Sequence, residues 1–282
     1  MDDHAVGRTL GVYGKVVVVA GGGGAKNGIG RATALLYARL GAKTVILDIH
    51  QEAAEETAKL INAFAEVPAS VWQLDVTHDE QIKPVLAEIT QQYGSLDIWA
   101  HVAGGHIGSS LIEDIPPAVW RSNLELNLTG VFLCVQAVLP IMKKQRQGKI
   151  VLVSSWAGRK IGSTSGADYA AAKAGVVTFT KQLAFEAGPF NINVNAIAPG
   201  PTHDSDAERD QKDGRLSKSP IQRFATPEDQ ARVIVFLTSL WAEIITGVTV
   251  DVDGGMNFGW MDYATYLTKH GHPLIEKGFH EG

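Results

Sequence analysis

Short apolar runs alternate along the chain with longer stretches in which apolar residues recur at helical spacing. The short runs are rich in β-branched residues and predict buried strands; they lie at 16–20, 44–47, 70–74, 96–102, 149–154, 192–197 and near 247–252. The helical stretches lie at 29–40, 51–65, 79–93, 117–145, 167–187 and 227–240. This alternation predicts a doubly wound parallel sheet of about seven strands between two helix layers, a three-layer α/β/α fold.

The alternation continues without a linker or a break in composition, so we expect a single domain at 15–256, preceded by a short lead-in at 1–14. Residues 201–222 are polar and aperiodic, which is typical of a lid over a substrate site. Residues 257–282 form a C-terminal extension that is too rich in aromatic residues for a simple disordered tail.

The chain has 282 residues, a formal net charge of −5 and one cysteine, Cys134. One cysteine excludes a disulfide framework and a thiolate zinc cage, and the close pair His270 and His272 has no carboxylate or cysteine beside it, so we expect no metal. The mild acidity argues against nucleic acid as a partner. Without a signal-peptide pattern or an apolar run of the ~20 residues that cross a bilayer, we expect a cytoplasmic protein that does not contact a membrane.

A glycine-rich segment separates the first strand from the first helix. Such a turn brings backbone N–H groups and the positive end of a helix against a pyrophosphate. Its candidate cofactor contacts are Gly21, Gly24, Asn27, Gly28, Ile29 and Gly30. Asp48 ends the second strand 18 residues after Gly30, near the position of a carboxylate that binds the adenosine ribose. An acid there repels a 2′-phosphate, so NAD is favoured over NADP, although Lys26 and Arg31 leave NADP open.

Tyr169 and Lys173 lie four residues apart at the start of a predicted helix, so the phenol and the ammonium share a face. A free tyrosine has a pKa of ~10, and an ammonium together with a nicotinamide cation could lower it toward neutrality. Ser155 follows the strand at 149–154, at the edge where parallel sheets bind ligands. Their placement makes Ser155, Tyr169 and Lys173 candidate catalytic residues.

With these residues the chain resembles the short-chain dehydrogenases/reductases, in their single-domain form. The matching motifs follow the family order over roughly residues 13–256; they are Gly28-Ile29-Gly30, Asp48, Asp75-Val76, Ala103-Gly104, Asn127, Ser155, Tyr169 with Lys173, Pro199-Gly200 and Asp253-Gly254-Gly255. Each motif is weak alone, but their common order is specific. The resemblance implies a Rossmann-like fold and a nicotinamide cofactor.

The resemblance also implies residue roles. Tyr169 would exchange the proton of the substrate oxygen, Ser155 would hold that oxygen, and Lys173 would bind the nicotinamide ribose and lower the pKa of Tyr169. Asn127 would hold a relay water, or alternatively cap a helix. Further cofactor contacts would come from Asp75, Val76, Ala103, Gly104, Tyr169, Pro199, Gly200 and Thr202, the last of which could instead be a turn residue.

Two segments depart from the family pattern. The family's Thr-Gly pair corresponds either to Ala20-Gly21, with six residues before Gly28, or to Gly23-Gly24; on the first correspondence the phosphate loop is three residues longer than usual. The family's Asn-Asn-Ala-Gly appears as His101-Val102-Ala103-Gly104. His101 is therefore either a packed structural residue or a titratable imidazole near the cofactor.

The positions expected to face the substrate hold His106, Trp156 and Arg159, which favours a small polar molecule such as a sugar or a hydroxy acid. Arg159 could instead be a surface charge. The helices at 117–145 and 167–187 are apolar enough for the homotetramer that is common in the family, with a dimer as the alternative.

The sequence therefore predicts an NAD-dependent oxidoreductase that moves a hydride between nicotinamide and a secondary alcohol or ketone. One alternative is an NADPH-dependent ketone reductase with the same site. Another is a nucleotide-binding regulator that kept the fold without the chemistry. The presence of Ser155, Tyr169, Lys173 and Asn127 together argues against the regulator.

Overall fold

A seven-stranded parallel sheet forms the centre of the molecule, in the order β3-β2-β1-β4-β5-β6-β7. The strands are β1 Val16–Ala20, β2 Lys43–Asp48, β3 Ser70–Gln73, β4 Ile98–His101, β5 Gly148–Val153, β6 Ile192–Pro199 and β7 Thr249–Val252. The computed structural model of the chain describes residues 2–24, 28–108, 111–160, 165–203, 219–221 and 223–257. All neighbouring strands pair in parallel, which confirms the predicted doubly wound fold.

Helices cover both faces of this sheet. They are α1 Asp3–Leu10, α2 Ile29–Arg39, α3 Gln51–Asn62, α4 Asp79–Tyr93, α5 Pro117–Leu124, α6 Gly130–Gln145, α7 Ala167–Ala187 and α8 Pro227–Thr238. One hydrophobic cluster joins α4, α6 and α7 to the sheet, and a second joins α2, α3 and α8 to its other face. Because β1 is covered on both sides, all five of its residues are buried, and its sequence is a continuous apolar run.

The N-terminal lead-in contains a helix that the sequence pattern did not predict. The Asp2 side chain accepts a hydrogen bond from the backbone N–H of His4 and so caps α1, and Gly11 ends the helix in the left-handed conformation. Residues 204–218 and 222 of the predicted lid, and residues 258–282 of the C-terminal extension, lie outside the described residues.

The helical stretch Pro117–Gln145 is long and apolar enough to cross a membrane by length and composition alone, with a mean hydropathy of 1.7 in its most apolar window. Charged residues interrupt it, which is why the sequence shows no uninterrupted apolar run of that length. Val131, Val135 and Val138 on its inner side belong to the core that packs against the sheet. One side of the stretch therefore packs against the sheet, although only 39% of its most apolar window is buried.

The chain changes direction at β1. From β1 it passes to β2 and β3 on one side, and then returns to β4 on the other side. In open parallel sheets, ligands bind at the carboxyl ends of the strands where this reversal occurs. The fold therefore places the expected site beyond the ends of β1 and β4.

Candidate active site

A cavity of about 320 Å³ opens at the carboxyl edge of the sheet, where the chain reverses. It brings together most of the candidate residues from the family motifs and their substrate-facing neighbours. Those that line it are Ile29, Gly104, His106, Ser155, Trp156, Tyr169, Lys173, Pro199, Gly200 and Thr202. The cavity reaches from the start of α2 to the first turns of α7, so phosphate-binding and catalytic candidates share one space.

Tyr169 and Lys173 project from the first turns of α7 into this cavity. The Lys173 Nζ lies 5.6 Å from the centre of the Tyr169 ring and donates a hydrogen bond to the Val153 carbonyl at 2.9 Å. Burial lowers the pKa of Lys173 to about 8, because the charged form loses its hydration. The shared helix face predicted from their spacing is therefore present.

The protein groups alone raise the pKa of Tyr169 rather than lower it. Burial of the phenol is the main cause, and a hydrogen bond from Ser155 acts in the opposite direction. A phenolate at neutral pH would then need additional positive charge from the oxidised nicotinamide. The predicted lowering by Lys173 stays a prediction for the complex with cofactor.

The two serines after β5 have different partners. The Ser154 hydroxyl donates to the Lys173 carbonyl at 2.7 Å and so ties the end of β5 to α7. The Ser155 oxygen accepts a hydrogen bond from the Ala157 N–H at 3.2 Å, at the start of a 3₁₀ turn. Ser155 is therefore the serine that remains on the side of the phenol.

Asn127 lies in a π-helical turn, Glu125–Thr129, that joins α5 to α6. Its side chain is fully buried and holds Gly105 from both sides: its Nδ2 donates to the Gly105 carbonyl at 2.7 Å, and its Oδ1 accepts from the Gly105 N–H at 3.0 Å. A Cβ on Gly104 would lie 2.9 Å from this Oδ1 and 3.1 Å from the Lys173 Nζ. Asn127 thus lies inside a continuous helix, not at a helix end, and faces the same space as Lys173.

The glycine segment after β1 has the close contacts that a pyrophosphate site requires. Gly21 has φ +84°, and a Cβ at Gly30 would lie 1.9 Å from the Gly21 carbonyl oxygen. This packing favours Ala20-Gly21 as the counterpart of the family's Thr-Gly pair. No side chain caps the start of α2 after Gly28, and no acidic residue occupies its first turn, so its N–H groups suit an anion. Asn27 lies outside the described residues.

Asp48 joins the end of β2 to the glycine segment. Its Oδ2 accepts hydrogen bonds from the N–H groups of Gly23 at 2.9 Å and Gly24 at 3.2 Å, and its Oδ1 accepts from the His50 N–H at 3.0 Å. The carboxylate is 8% exposed. A negative charge therefore lies at the position that the sequence assigns to ribose recognition.

Arg31, the residue that left NADP possible in the sequence, already forms a hydrogen bond and an ion pair within the protein. Its Nε donates to the Thr57 hydroxyl at 3.0 Å, and its Nη2 forms an ion pair with Glu56 at 2.9 Å. The side chain is only 7% exposed. Lys26, the other basic residue, lies outside the described residues.

Asp75 and Val76 follow β3 at the same edge of the sheet but do not line the cavity. The Asp75 Oδ1 accepts a hydrogen bond from the Thr77 N–H at 2.9 Å. Burial acts to raise the pKa of Asp75, but hydrogen bonds from Thr77 and the nearby His78 outweigh it and lower the pKa. Val76 is buried in the core against Gly130.

The far wall of the cavity rests on the loop after β6. Thr202 donates to the Gly200 carbonyl at 3.0 Å and lies 3.2 Å from the side-chain amide of Gln230. A Cβ on Gly200 would lie 2.6 Å from the Cβ of Asp253. The Asp253-Gly254-Gly255 motif therefore supports Pro199-Gly200 from behind. Ala103 is held at the opposite side, where its N–H donates to the Ala20 carbonyl at 2.7 Å.

The three residues expected to face the substrate separate into two groups. His106 and Trp156 line the cavity. Arg159 does not line it; its Nε pairs with Asp251 at the end of β7 at 2.8 Å. Lys160 Nζ lies 4.7 Å from the centre of the Trp156 ring and bonds to the Met256 carbonyl. Arg159 thus ties the turn after Ser155 to β7, and Lys160 ties it to the segment that follows β7.

Two buried residues of the site were not found from the sequence. Asp168 accepts hydrogen bonds from the Asn123 side chain at 2.6 Å and from the Tyr169 N–H at 2.9 Å. Asn123 in turn holds the backbone of Ile107. Their position next to Tyr169, and four residues before Asn127, is the only signal that the sequence carries for them.

His101 is buried at the end of β4, and neither of its ring nitrogens has a hydrogen-bond partner among the described residues. Burial lowers its pKa to about 3, and the charge of Lys173 adds to this. The imidazole is therefore neutral at physiological pH. The sequence left open whether His101 is a packed structural residue or a titratable imidazole, and these observations favour the packed residue.

Comparison with known proteins agrees with this geometry. A family model described as Enoyl-(Acyl carrier protein) reductase matches residues 23–257. The chain is 38% identical over 248 residues to the 3-oxoacyl-(acyl-carrier-protein) reductase FabG of Thermotoga maritima, a match that covers 86% of this chain and 98% of the relative. It is 36% identical over 272 residues to the cyclohexanol dehydrogenase of Rhodococcus sp., which covers 88% and 98%.

Solved structures show the same likeness. A putative short-chain dehydrogenase/reductase from Burkholderia xenovorans superposes with a TM-score of 0.83 at 31% identity, over 89% of this chain and 99% of that one. Levodione reductase superposes with a TM-score of 0.82 at 30% identity, over 88% and 100%. The chain is therefore an oxidoreductase of the doubly wound α/β class. It belongs to the short-chain dehydrogenase/reductase family.

Proposed function

We propose that the chain is an NAD-dependent dehydrogenase that transfers a hydride between nicotinamide and the secondary alcohol or ketone carbon of a small polar substrate. The observation that carries this proposal is the convergence of Ser155, Tyr169 and Lys173 in one cavity, with Asn127 buried directly behind it. A nucleotide-binding regulator that catalyses no reaction would not need these four residues together.

The bound nicotinamide supplies the hydride acceptor or donor. In the oxidative direction the substrate hydroxyl gives its proton to the Tyr169 phenolate, and Ser155 donates a hydrogen bond to the oxygen that becomes the carbonyl. Lys173 holds a positive charge beside the phenolate and stabilises it. Its pKa of about 8 is close enough to neutrality for proton exchange with the site.

The described residues fit a dinucleotide. The uncapped start of α2 and the glycines before it would hold the pyrophosphate, and the loop of Pro199, Gly200 and Thr202 would line the nicotinamide. Asp75 and Val76 would lie on the adenine side. Ala103 and Gly104 would form the floor between the two halves of the cofactor.

The preference for NAD rests on charge. Asp48 would accept hydrogen bonds from the ribose hydroxyls and repel a 2′-phosphate, while Glu56 and Thr57 hold the guanidinium of Arg31 away from such a phosphate. An NADPH-dependent reductase is the second candidate; the names of FabG and of levodione reductase favour the reductive direction. The name of cyclohexanol dehydrogenase favours the oxidative one.

We propose a cytoplasmic homotetramer, and two exposed apolar faces support the tetrameric assembly. Phe132 of α6 and Phe185 of α7 are 43% and 80% exposed, and Trp241 and Ile244, between α8 and β7, are 64% and 97% exposed. Two separate self-complementary faces on one chain build a tetramer with two kinds of dimer contact. The use of only one face would give the alternative dimer.

The experiment that tests the proposed chemistry is turnover of Tyr169→Phe. With NAD and a panel of secondary alcohols, reduced cofactor is followed by its absorbance. We expect a loss of roughly 10³-fold in kcat, since the variant cannot exchange the proton, with NAD affinity within about threefold of the wild type. Tyr93→Phe is the matched control, because that hydroxyl bonds to Ser70 at 2.7 Å, away from the cavity. Wild-type turnover by Tyr169→Phe would contradict the assignment.

A further inference from the structure

The backbone around His106 is held by two buried asparagines. Asn127 binds the N–H and the carbonyl of Gly105 at 3.0 and 2.7 Å. Asn123 binds the N–H and the carbonyl of Ile107 at 3.2 and 2.9 Å. Both asparagines are fully buried. His106 therefore stands between two fixed residues, and its position at the cavity is set before any ligand binds.

The His106 ring lies against the catalytic candidate. Its centre is 5.3 Å from the centre of the Tyr169 ring at an interplanar angle of 73°, an edge-to-face contact. Its Nε2 accepts a hydrogen bond from the Gly166 N–H at 3.3 Å. A neutral imidazole that accepts at Nε2 carries its proton on Nδ1. The ring thus offers a single N–H donor next to the phenol.

A second polar group belongs to the same wall. Ser165 lines the cavity one residue before Gly166, and its hydroxyl oxygen is buried without a hydrogen-bond partner among the described residues. A buried hydroxyl without a partner destabilises the folded chain, and a hydrogen bond with a ligand oxygen would offset that loss. His106 and Ser165 therefore provide two polar groups on the wall of the cavity that holds Tyr169.

The charge of this wall discriminates between substrates. Arg159 is paired with Asp251, and Lys160 bonds to the Met256 carbonyl. Neither cation is among the described residues that line the cavity. The cation that does line the cavity, Lys173, donates to the Val153 carbonyl and lies beside the Tyr169 ring. On the wall of His106 and Ser165 itself a ligand oxygen would meet an imidazole N–H and a hydroxyl, which hold an alcohol or carbonyl oxygen at a lower desolvation cost than a carboxylate.

We propose that His106 and Ser165 form a second oxygen subsite beside Tyr169, and that the substrate carries a neutral hydroxyl or carbonyl close to the reacting carbon. Diols, hydroxy ketones and dicarbonyl compounds have this chemistry. The inference rests on the proposed function, because it takes Tyr169 as the residue that meets the reacting oxygen. Among the small polar substrates that the sequence predicts, it ranks neutral diols and hydroxy ketones above hydroxy acids.

The test compares cyclohexane-1,2-diol with cyclohexanol, which share a carbon skeleton and differ in the second oxygen. Calorimetry measures the affinity of each for the enzyme–NADH complex, where no turnover occurs, and kcat/KM is measured with NAD. We expect the wild type to prefer the diol at least tenfold in both. His106→Phe keeps the edge contact with Tyr169 without the donor and reduces that preference to about twofold or less.

Three further variants separate recognition from packing. His106→Asn retains a donor near the Nδ1 position and recovers part of the preference, and Ser165→Ala lowers it in the same direction. His4→Phe is the matched control, since His4 makes an edge contact with Tyr13 at 5.3 Å and 66° outside the cavity; it leaves the preference unchanged. Equal losses for both alcohols in His106→Phe would show a structural role and overturn the subsite.

The remaining outcomes distinguish this inference from the proposed function. Turnover of both alcohols with equal kcat/KM and equal affinity leaves the dehydrogenase in place and overturns the subsite. Selective binding of the diol without any reduced nicotinamide supports the subsite and contradicts the proposed reaction. Tighter binding of 2-hydroxycyclohexanecarboxylate than of the diol overturns the preference of the subsite for a neutral oxygen. No measurable binding of the diol overturns the subsite itself.

Discussion

Burial changes the protonation of several individual side chains around the cavity. It lowers the pKa of Lys173 to about 8 and of His101 to about 3, and it raises the pKa of Tyr169. In each case the charged form loses its hydration. At neutral pH His101 is therefore uncharged and Lys173 keeps most of its positive charge, so a phenolate at Tyr169 depends on Lys173 and on the cofactor that is bound.

His101 gives this effect a measurable consequence. Its pKa is about 3 in the folded chain and 6.5 in an unfolded one. Between these values the unfolded chain binds the extra proton, so His101 makes folding less favourable as the pH falls below 6.5. When the pH is lowered from 7.5 to 5.5, we expect the unfolding free energy of the wild type to fall by about 1 kcal/mol more than that of His101→Leu.

Urea unfolding at the two pH values measures this difference. His50→Leu, at an exposed position, serves as the control. An unchanged difference between His101→Leu and the wild type at both pH values would mean that the imidazole has the same pKa in the folded and the unfolded chain, and would contradict the lowered pKa.

Residue types and their order were enough to identify the catalytic candidates, but not to find which side chains contact one another in the fold. Arg159 was expected to face the substrate because of its place after Ser155, whereas its guanidinium pairs with Asp251, far along the chain. A contact of that sequence separation has no local signal. The clamp of Asn123 and Asp168 on the loop of His106 was missed for the same reason.

At the scale of elements, the strands and helices were predicted within a few residues because apolar runs and helical periods follow burial closely. The π turn Glu125–Thr129 is the exception that matters for the site. Its residues continue the helical pattern of 117–145, so the sequence predicts one regular helix. The turn is what brings the Asn127 amide onto Gly105.

The end of β2 and the glycine segment act as one unit through Asp48. Asp48→Ala removes the acceptor for Gly23 and Gly24 together with the charge that repels a 2′-phosphate. We expect the ratio of kcat/KM for NAD to that for NADP to fall about tenfold or more, since a difference of 1.4 kcal/mol has that effect.

Steady-state kinetics with both cofactors measure the ratio. Asp79→Ala, at an exposed carboxylate in the first turn of α4, is the control and leaves the ratio unchanged. A ratio that stays constant in Asp48→Ala would contradict the role of Asp48 in cofactor choice.

At the scale of the whole molecule, the two apolar faces predict the assembly. Phe185→Glu places a charge on the face of α6 and α7, and Ile244→Glu places one between α8 and β7. Each change alone is expected to convert a tetramer into a dimer, and the two together to give monomers. Light scattering after size exclusion measures the mass. Leu60→Glu, on an exposed part of α3, keeps the tetramer; an unaltered mass in all variants would contradict the two-face assembly.

The overall architecture followed from the sequence because alternating strands and helices admit few topologies. The assembly did not follow in the same way, since the pattern of 117–145 cannot separate a face against the sheet from a face against a second subunit. The predicted lid falls largely outside the described residues, so its placement over the substrate stays a prediction.

Isotope labelling follows the hydride from the substrate carbon to the nicotinamide. The wild-type enzyme is incubated with NAD and a secondary alcohol deuterated at its carbinol carbon, and the reduced cofactor is analysed by mass spectrometry. We expect deuterium to pass from that carbon to the nicotinamide without exchange with solvent, and Tyr169→Phe to form roughly 10³-fold less of the labelled product. Reduced cofactor without deuterium, or no reduced cofactor with any secondary alcohol that binds, would contradict the proposed reaction.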